Sequence, residues 1–170
     1  VTLKRICGDV VDRGGRMIAA DRTTVGEYAI FADSIARATV VDVNDPVFSL
    51  DPLRIFGLTV GTPIAQSFLN RLLGFKPMSE MGGLLDDVLV ADYMATHDLR
   101  ALGDVIEHLS TLSGEAAKQL AQRMRLFARK PYGRVIFDSA VPALDLTSRA
   151  IIVRTHTLQL PSASELENTL

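Results

Sequence analysis

Strand-like and helix-like stretches are spread unevenly along this chain, and that distribution restricts its folds more than any other feature. Four short runs stand toward the two ends: Arg16-Met17-Ile18-Ala19-Ala20-Asp21, Ala38 to Val43, Arg134-Val135-Ile136-Phe137-Asp138 and Ala150-Ile151-Ile152-Val153-Arg154-Thr155. Each is short and apolar, the second and fourth are rich in β-branched residues, and all read as strands. Between the early and the late runs the pattern is helical. Such a chain either builds two sheets or builds one that a helical block interrupts. From residue 1 to about 60 the order is helix–strand–helix–strand with short connections, which points to a parallel sheet with covering helices. The late runs are expected to join that sheet.

The helices read as follows. Leu3, Ile6, Cys7, Val10 and Val11 recur at three- and four-residue spacing, and Gly14-Gly15 supplies a stop. Glu27 to Ile35 has Tyr28, Phe31, Ala32 and Ile35 on one face, and Asn44-Asp45-Pro46 ends the strand that follows. Thr62 before Pro63 predicts a helix start, carrying Ile64, Ala65, Phe68, Leu69, Leu72 and Leu73 and closing at Gly74. Phe75 to Gly83 reads as a linker. Three more stripes come next: Leu85, Val88, Leu89 and Asp92-Tyr93; then Leu99, Leu102, Val105, Ile106 and Leu109; then Ala117, Leu120, Ala121, Met124, Phe127 and Ala128. Ser113 is the expected cap of the last, and Pro131-Tyr132-Gly133 its expected end. Stripes this wide belong to packed faces. The expected organisation is a first part of an α/β core over 1–80, a helical insertion over 81–130 and a return to the core over 131–170. The strands near 16–20, 38–43, 134–138 and 150–155 should share one mainly parallel sheet, with 84–129 as a separate helical layer.

Composition narrows the class. With 170 residues, 48% of them hydrophobic, the chain can bury one substantial core, or a core and a subdomain. Its net charge of −2 argues against a strongly basic module that coats nucleic acid. Cys7 is the single cysteine, so an internal disulfide is impossible, and its place on the first stripe makes it a core residue. No apolar run approaches the roughly 20 residues of a membrane helix, and no signal peptide is visible. His97, His108 and His156 lack ligand-like spacing, and no Gly-x-Ser-x-Gly elbow appears. Lys118, Arg123, Arg125, Arg129, Lys130 and Arg134 form a basic run that is either a solvated face or a contact to a DNA backbone. The chain begins at Val1 without methionine. It ends five residues after Ser162-Ala163-Ser164-Glu165, a Ser-x-x-Glu capping box, so a longer parent is expected.

Two runs, ending at Asp21 and Asp138, look like strands that deliver a carboxylate to the C-terminal edge of a sheet, where α/β proteins build sites. A carboxylate there can hold Mg²⁺ through water or orient a nucleophile; it can equally form a turn or a helix cap. A Gly-x-x-x-x-Gly-Lys-Ser/Thr loop is absent from the sequence. Gly14-Gly15-Arg16 lacks the lysine and follows a helix, so it is a C-cap, and the phosphate loop is expected just upstream of Val1.

Arg16 through Tyr28, with a strand, an Asp and then Gly26-Glu27-Tyr28, resembles the Asp-x-x-Gly-Glu-Tyr signature of HerA–FtsK superfamily ATPases. Within that group the resemblance is to conjugative and type IV secretion ATPases of actinobacterial type, over the stretch between Walker A and Walker B. Ser49-Leu50-Asp51-Pro52-Leu53, the inserted helical block and Leu158-Gln159-Leu160-Pro161-Ser162 extend it across nearly the whole chain. Four residues, Arg22 to Val25, separate Asp21 from Gly26 where the signature has two. The resemblance implies a partial P-loop NTPase of RecA-like fold, with ATP and Mg²⁺ as cofactors of the parent and none for this fragment. It implies a cytoplasmic homo-hexamer at the inner face of the membrane, partnered by secretion-channel proteins and DNA, that couples ATP hydrolysis to DNA or protein transfer. Asp21, Gly26 and Tyr28 are then expected near the nucleotide, with Glu27 as the catalytic candidate. Arg149 and Arg154 are candidates for an inter-subunit contact to phosphate. Two other readings stand beside it: a non-enzymatic helical interaction module that docks a partner through 81–130, and a double-stranded DNA translocase of the same superfamily.

Overall fold

The computed structural model describes residues 2–75 and 79–156. Three strands, β1 (Met17–Asp21), β2 (Ala38–Asp42) and β3 (Ala150–Arg154), form a wholly parallel sheet in the order β1-β3-β2. The last of these three strands thus lies in the middle, which makes the fold α/β with one interrupted sheet. Its two faces follow the period-2 alternation of the strands. On one side Met17, Ala150 and Ile152 pack with Val11 of α1 (Thr2–Asp12) and with Ala32 of α2 (Glu27–Ala32), flanked by Cys7, Tyr28, Phe31 and Ile35. On the other side Val41 and Ile151 pack with Val43, Val135 and Leu144. That second layer does not extend over β1, where Ile18 is 74% exposed.

The first stripe divides. Cys7 and Val11 turn toward the sheet, while Leu3, Ile6 and Val10 are exposed. Five apolar residues cover more of a helix than one flat sheet face can bury.

A second core belongs to the helices α3 (Pro52–Leu73), α4 (Glu80–Val88), α5 (Ala91–Thr96), α6 (Leu102–Thr111) and α7 (Glu115–Ala128). Leu85, Val88, Leu89, Leu102, Val105, Leu109, Leu120 and Met124 are all buried in it, as their spacing requires. Leu53, Ala65, Leu69 and Leu73 of α3 pack there too, so the helical body reaches upstream of residue 81.

Several local expectations are corrected. Residues 134–138 are not a strand: α8 (Pro131–Phe137) occupies them, with Pro131 at its first turn and Asp138 as its C-cap. Pro131 therefore opens a helix, where its fixed φ and missing N–H cost nothing, and α7 has already ended at Ala128. Thr62 is not a cap but lies buried inside α3, which runs on through Pro63. The start is Asp51-Pro52, and Gly57, at φ 72°, makes the kink between the two halves of α3. The 75–83 linker ends early, because Ser79 caps α4 through the Gly82 N–H at 3.2 Å. Gly114, not Ser113, precedes α7. Both Leu158–Ser162 and the capping box at Ser162 lie outside the described residues.

Candidate site at the carboxyl edge of the sheet

The three strands end level with one another. Asp21, Arg154 and Asp42 are register partners across β1, β3 and β2, so one pleat presents two carboxylates and a guanidinium side by side. The sequence chose these ends: each outer strand is an apolar run stopped by Asp.

Asp21 is buried, and both of its oxygens are committed. Oδ1 accepts from the Thr23 N–H at 2.9 Å and the Thr23 hydroxyl at 2.6 Å. Oδ2 accepts from the Tyr28 N–H at 2.8 Å and the Ala29 N–H at 3.3 Å. The carboxylate thus caps α2 from seven residues upstream. Burial raises its pKa, and the bonds from Thr23, Tyr28 and Ala29 outweigh burial, so the net shift is downward. A carboxylate saturated in this way does not fit an Mg²⁺-water ligand; of Asp21's two open readings, the cap is the one the geometry supports.

The four residues Arg22 to Val25 form the turn that lets this happen. The Gly26 N–H donates to the Thr23 carbonyl at 3.1 Å, and Thr23 Oγ1 accepts from the Glu27 N–H at 3.0 Å. Gly26 takes φ 65°, and a Cβ there would lie 3.3 Å from Arg154 Nε, so its bareness serves both the backbone and the arginine. Glu27 projects outward, 53% exposed, with its Oε2 2.9 Å from Lys4 Nζ of α1. Lys4 also stands over the Tyr28 ring at 5.5 Å, while Tyr28 itself packs in the sheet core.

Arg154 reaches Asp42 at 3.5 Å from its Nη1, a loose pairing. Its Nε is buried without a hydrogen-bond partner among the described residues, as is Nδ1 of the neighbouring His156. Arg149 stands at the other end of β3: its N–H donates to the Arg37 carbonyl at 2.9 Å, and its guanidinium lies beside Gly14. Four residues of strand stand between it and Arg154, a span of about 16 Å. One phosphate cannot bridge the two arginines. The structure therefore gathers Asp21, Gly26, Glu27, Tyr28 and Arg154, and leaves Arg149 apart. Asp138, at the end of a helix, pairs with Arg134 at 3.3 Å, away from this edge.

Sequence reasoning assigns no site role to two residues, Asp42 and Asp51. Asp42 pairs with Arg154, and its signal was the shared ending of Met17–Asp21 and Ala38–Asp42. Asp51, buried, accepts the Leu53 N–H at 2.9 Å and the Leu102 N–H at 2.7 Å, and so caps both α3 and α6. Its signal was Asp before Pro. In the helical body His97 stacks on Tyr93 with centroids 4.1 Å apart, and Tyr93 Oη lies 2.8 Å from His108 Nε2. Burial, then His97, holds His108 below the usual histidine range. Among the described residues no group of three or more His, Cys, Asp or Glu side chains could hold a metal ion. No helix among them is long and apolar enough to cross a membrane.

Residues 3–170 match the family described as AAA-like domain. Neither a curated protein nor a solved structure matches the chain.

Proposed function

The chain belongs to the AAA-like domain family, part of the P-loop ATPase superfamily, and on that premise we propose that it works in the ATP-driven motor of a conjugative or type IV secretion system. The motor would act as a homo-hexamer with Mg²⁺ and ATP at the inner face of the cell membrane, coupled to secretion-channel proteins. The observation that supports this best is the family match over nearly the full chain, joined to a carboxyl sheet edge that carries Asp21 and Arg154, with Glu27 opening the helix that follows β1.

In this reading Asp21 acts by building the turn, Gly26 by leaving room for Arg154, and Tyr28 by anchoring α2. Glu27 is the group free to do chemistry. Its pairing with Lys4 is half exposed, and exposed pairs contribute about 0.2–1 kcal/mol, so the carboxylate can exchange Lys4 for water or for a neighbouring subunit. Arg154, with an unpartnered Nε and a loose partner, suits a contact to phosphate.

The test is ATP turnover by full-length protein carrying Glu27→Gln. Loss of a general base lowers turnover about a hundredfold or more, with the melting temperature held. Unchanged turnover with slightly reduced stability would leave Glu27 as a helix-start residue and remove the catalytic assignment.

A further inference from the structure

The turn between α5 and α6 brings together two histidines that no spacing in the sequence pairs. His97 is the C-cap of α5, and Asp98 after it takes φ 54°, a left-handed conformation that aspartate tolerates better than most residues. The chain reverses there, and α6 returns with His108 facing α5. Val105, Ile106 and Leu109 are buried in the helical core and fix α6, while Tyr93 packs against the same core. The ring centres of His97 and His108 stand 4.8 Å apart, with the Tyr93 ring 4.1 Å from the first and 5.6 Å from the second.

Hydrogen bonds decide which ring nitrogens are free. His97 Nδ1 lies 2.8 Å from the Tyr93 carbonyl oxygen. A carbonyl only accepts, so Nδ1 carries the proton, and the Nε2 lone pair is left for another ligand. Metal-binding histidines are oriented in the same way, by an acceptor on the nitrogen that does not bind. His108 Nε2 lies 2.8 Å from the Tyr93 hydroxyl. Two ligand atoms on one ion, with bonds of about 2.0–2.1 Å, stand about 2.9 Å apart at a right angle, and two imidazoles sharing the ion have ring centres about 4.5–5.2 Å apart. Both spacings are present here.

We propose that His97 Nε2, His108 Nε2 and the Tyr93 oxygen bind a divalent transition-metal ion that prefers tetragonal geometry, Cu²⁺ above all. Imidazole nitrogen and phenolate oxygen at right angles suit copper(II) or nickel(II) better than tetrahedral zinc, and copper(II) binds most tightly in the divalent series. The third donor is a tyrosine, so the site agrees with the lack of a His, Cys, Asp and Glu triad among the described residues. Without metal, the Tyr93 hydroxyl donates to His108 Nε2. On binding, the ion takes the place of that proton, which passes to solvent. His97 is exposed, so the ion enters from its side and water completes the coordination. The site lies on the helical body and stands independently of the ATPase reading, so either can fail alone.

The experiment is titration of the chain with Cu²⁺, and with Zn²⁺ in parallel, followed by calorimetry, visible absorption and tyrosine fluorescence. The chain has no tryptophan, so quenching of tyrosine is read directly. One equivalent of Cu²⁺ should bind, more tightly than Zn²⁺, with a copper–phenolate charge-transfer band in the visible. His97→Ala and His108→Gln should each weaken binding about tenfold or more, since loss of even an outer partner of a ligand costs that much. Tyr93→Phe should remove the band and leave weaker binding, whereas His156→Ala should change neither. His97 is exposed and Tyr93→Phe keeps the ring, and unchanged circular dichroism confirms that each variant is folded. Absence of saturable Cu²⁺ binding, a wild type without the band, wild-type affinity in a folded His97→Ala or His108→Gln variant, or equal loss in His156→Ala would each overturn the proposal.

Discussion

Asp51 accepts the backbone N–H of Leu102 at 2.7 Å, so a side chain at the start of one helix caps another helix far along the chain. The N-cap position of α6 is Ala101, which has no acceptor of its own. Asp51 supplies it, and with the Leu53 bond it ties the starts of α3 and α6 to the point where the chain leaves the sheet. Ser49, just before, is fully buried and exchanges backbone bonds with Pro142 and Leu144.

Burial pushes the Asp51 carboxyl up to about 6, against the lowering effect of the bonds from Leu102 and Leu53 and of Arg54. The folded state therefore holds this proton more tightly than the unfolded state, whose value is near 3.8. Stability from this group falls as pH rises from about 4 to about 6, by up to about 3 kcal/mol, and is flat above. Asp51→Asn lacks that slope, but its amide can accept only one of the two N–H groups and loses about 1–3 kcal/mol. Urea melts should show the wild type furthest ahead of the variant near pH 4, with the gap narrowing up to about pH 6 and constant above it. A gap independent of pH would mean that Asp51 does not titrate in this window.

Asp21 has the opposite sign. Its carboxyl is held below its ordinary value, so its contribution is present above about pH 4 and disappears as pH falls through the folded value. Asp21→Ala strips the acceptor from Thr23, Tyr28 and Ala29 and should cost about 2 kcal/mol or more at neutral pH. Acid titration of unfolding should show a smaller acid loss in Asp21→Asn than in the wild type. Equal acid sensitivity would contradict the capping role.

The legible parts of this fold are those where one period decides. Leu85 to Met124 could be placed from the helical repeat alone, and Met17–Asp21, Ala38–Asp42 and Ala150–Arg154 from length and β-branching. Val135-Ile136-Phe137 could not, because α8 lies between two cores. Val135 enters the sheet core, Phe137 the helical core and Ile136 touches both, so the run is apolar at every position, like a short strand buried on both faces. Of the site, Asp21 and Gly26-Glu27-Tyr28 lie within eight residues of one another and are legible as a local pattern. The Asp42–Arg154 pair depends on the register of β2 against β3, which no local pattern encodes.

Residues 1–170 are predicted not to bind Mg-ATP with micromolar affinity. Tight phosphate binding requires a cradle of backbone N–H groups with a lysine, and the sequence contains no Gly-x-x-x-x-Gly-Lys-Ser/Thr loop. Isothermal titration calorimetry should show no saturable heat. A micromolar isotherm would place a phosphate site elsewhere, with Arg154 the first residue to substitute.

The position of α8 also predicts how the two cores unfold. Ile136 packs against both, Val135 belongs to one and Phe137 to the other, so the helix works as a tie between them. Phe137→Ala should cost about 3–5 kcal/mol and Val135→Ala about 2 kcal/mol, from lost burial and the cavity left behind. If the tie holds, each substitution shifts one common transition. The chain has no tryptophan, but Tyr28 reports on the sheet layer, while Tyr93 and Tyr132 report on the helices. Urea unfolding followed by far-ultraviolet circular dichroism and by tyrosine fluorescence should give coincident midpoints in the wild type and in both variants. Separate midpoints in the wild type would show that the sheet and the helical body unfold independently. Separation only in Phe137→Ala would show that this ring alone couples them.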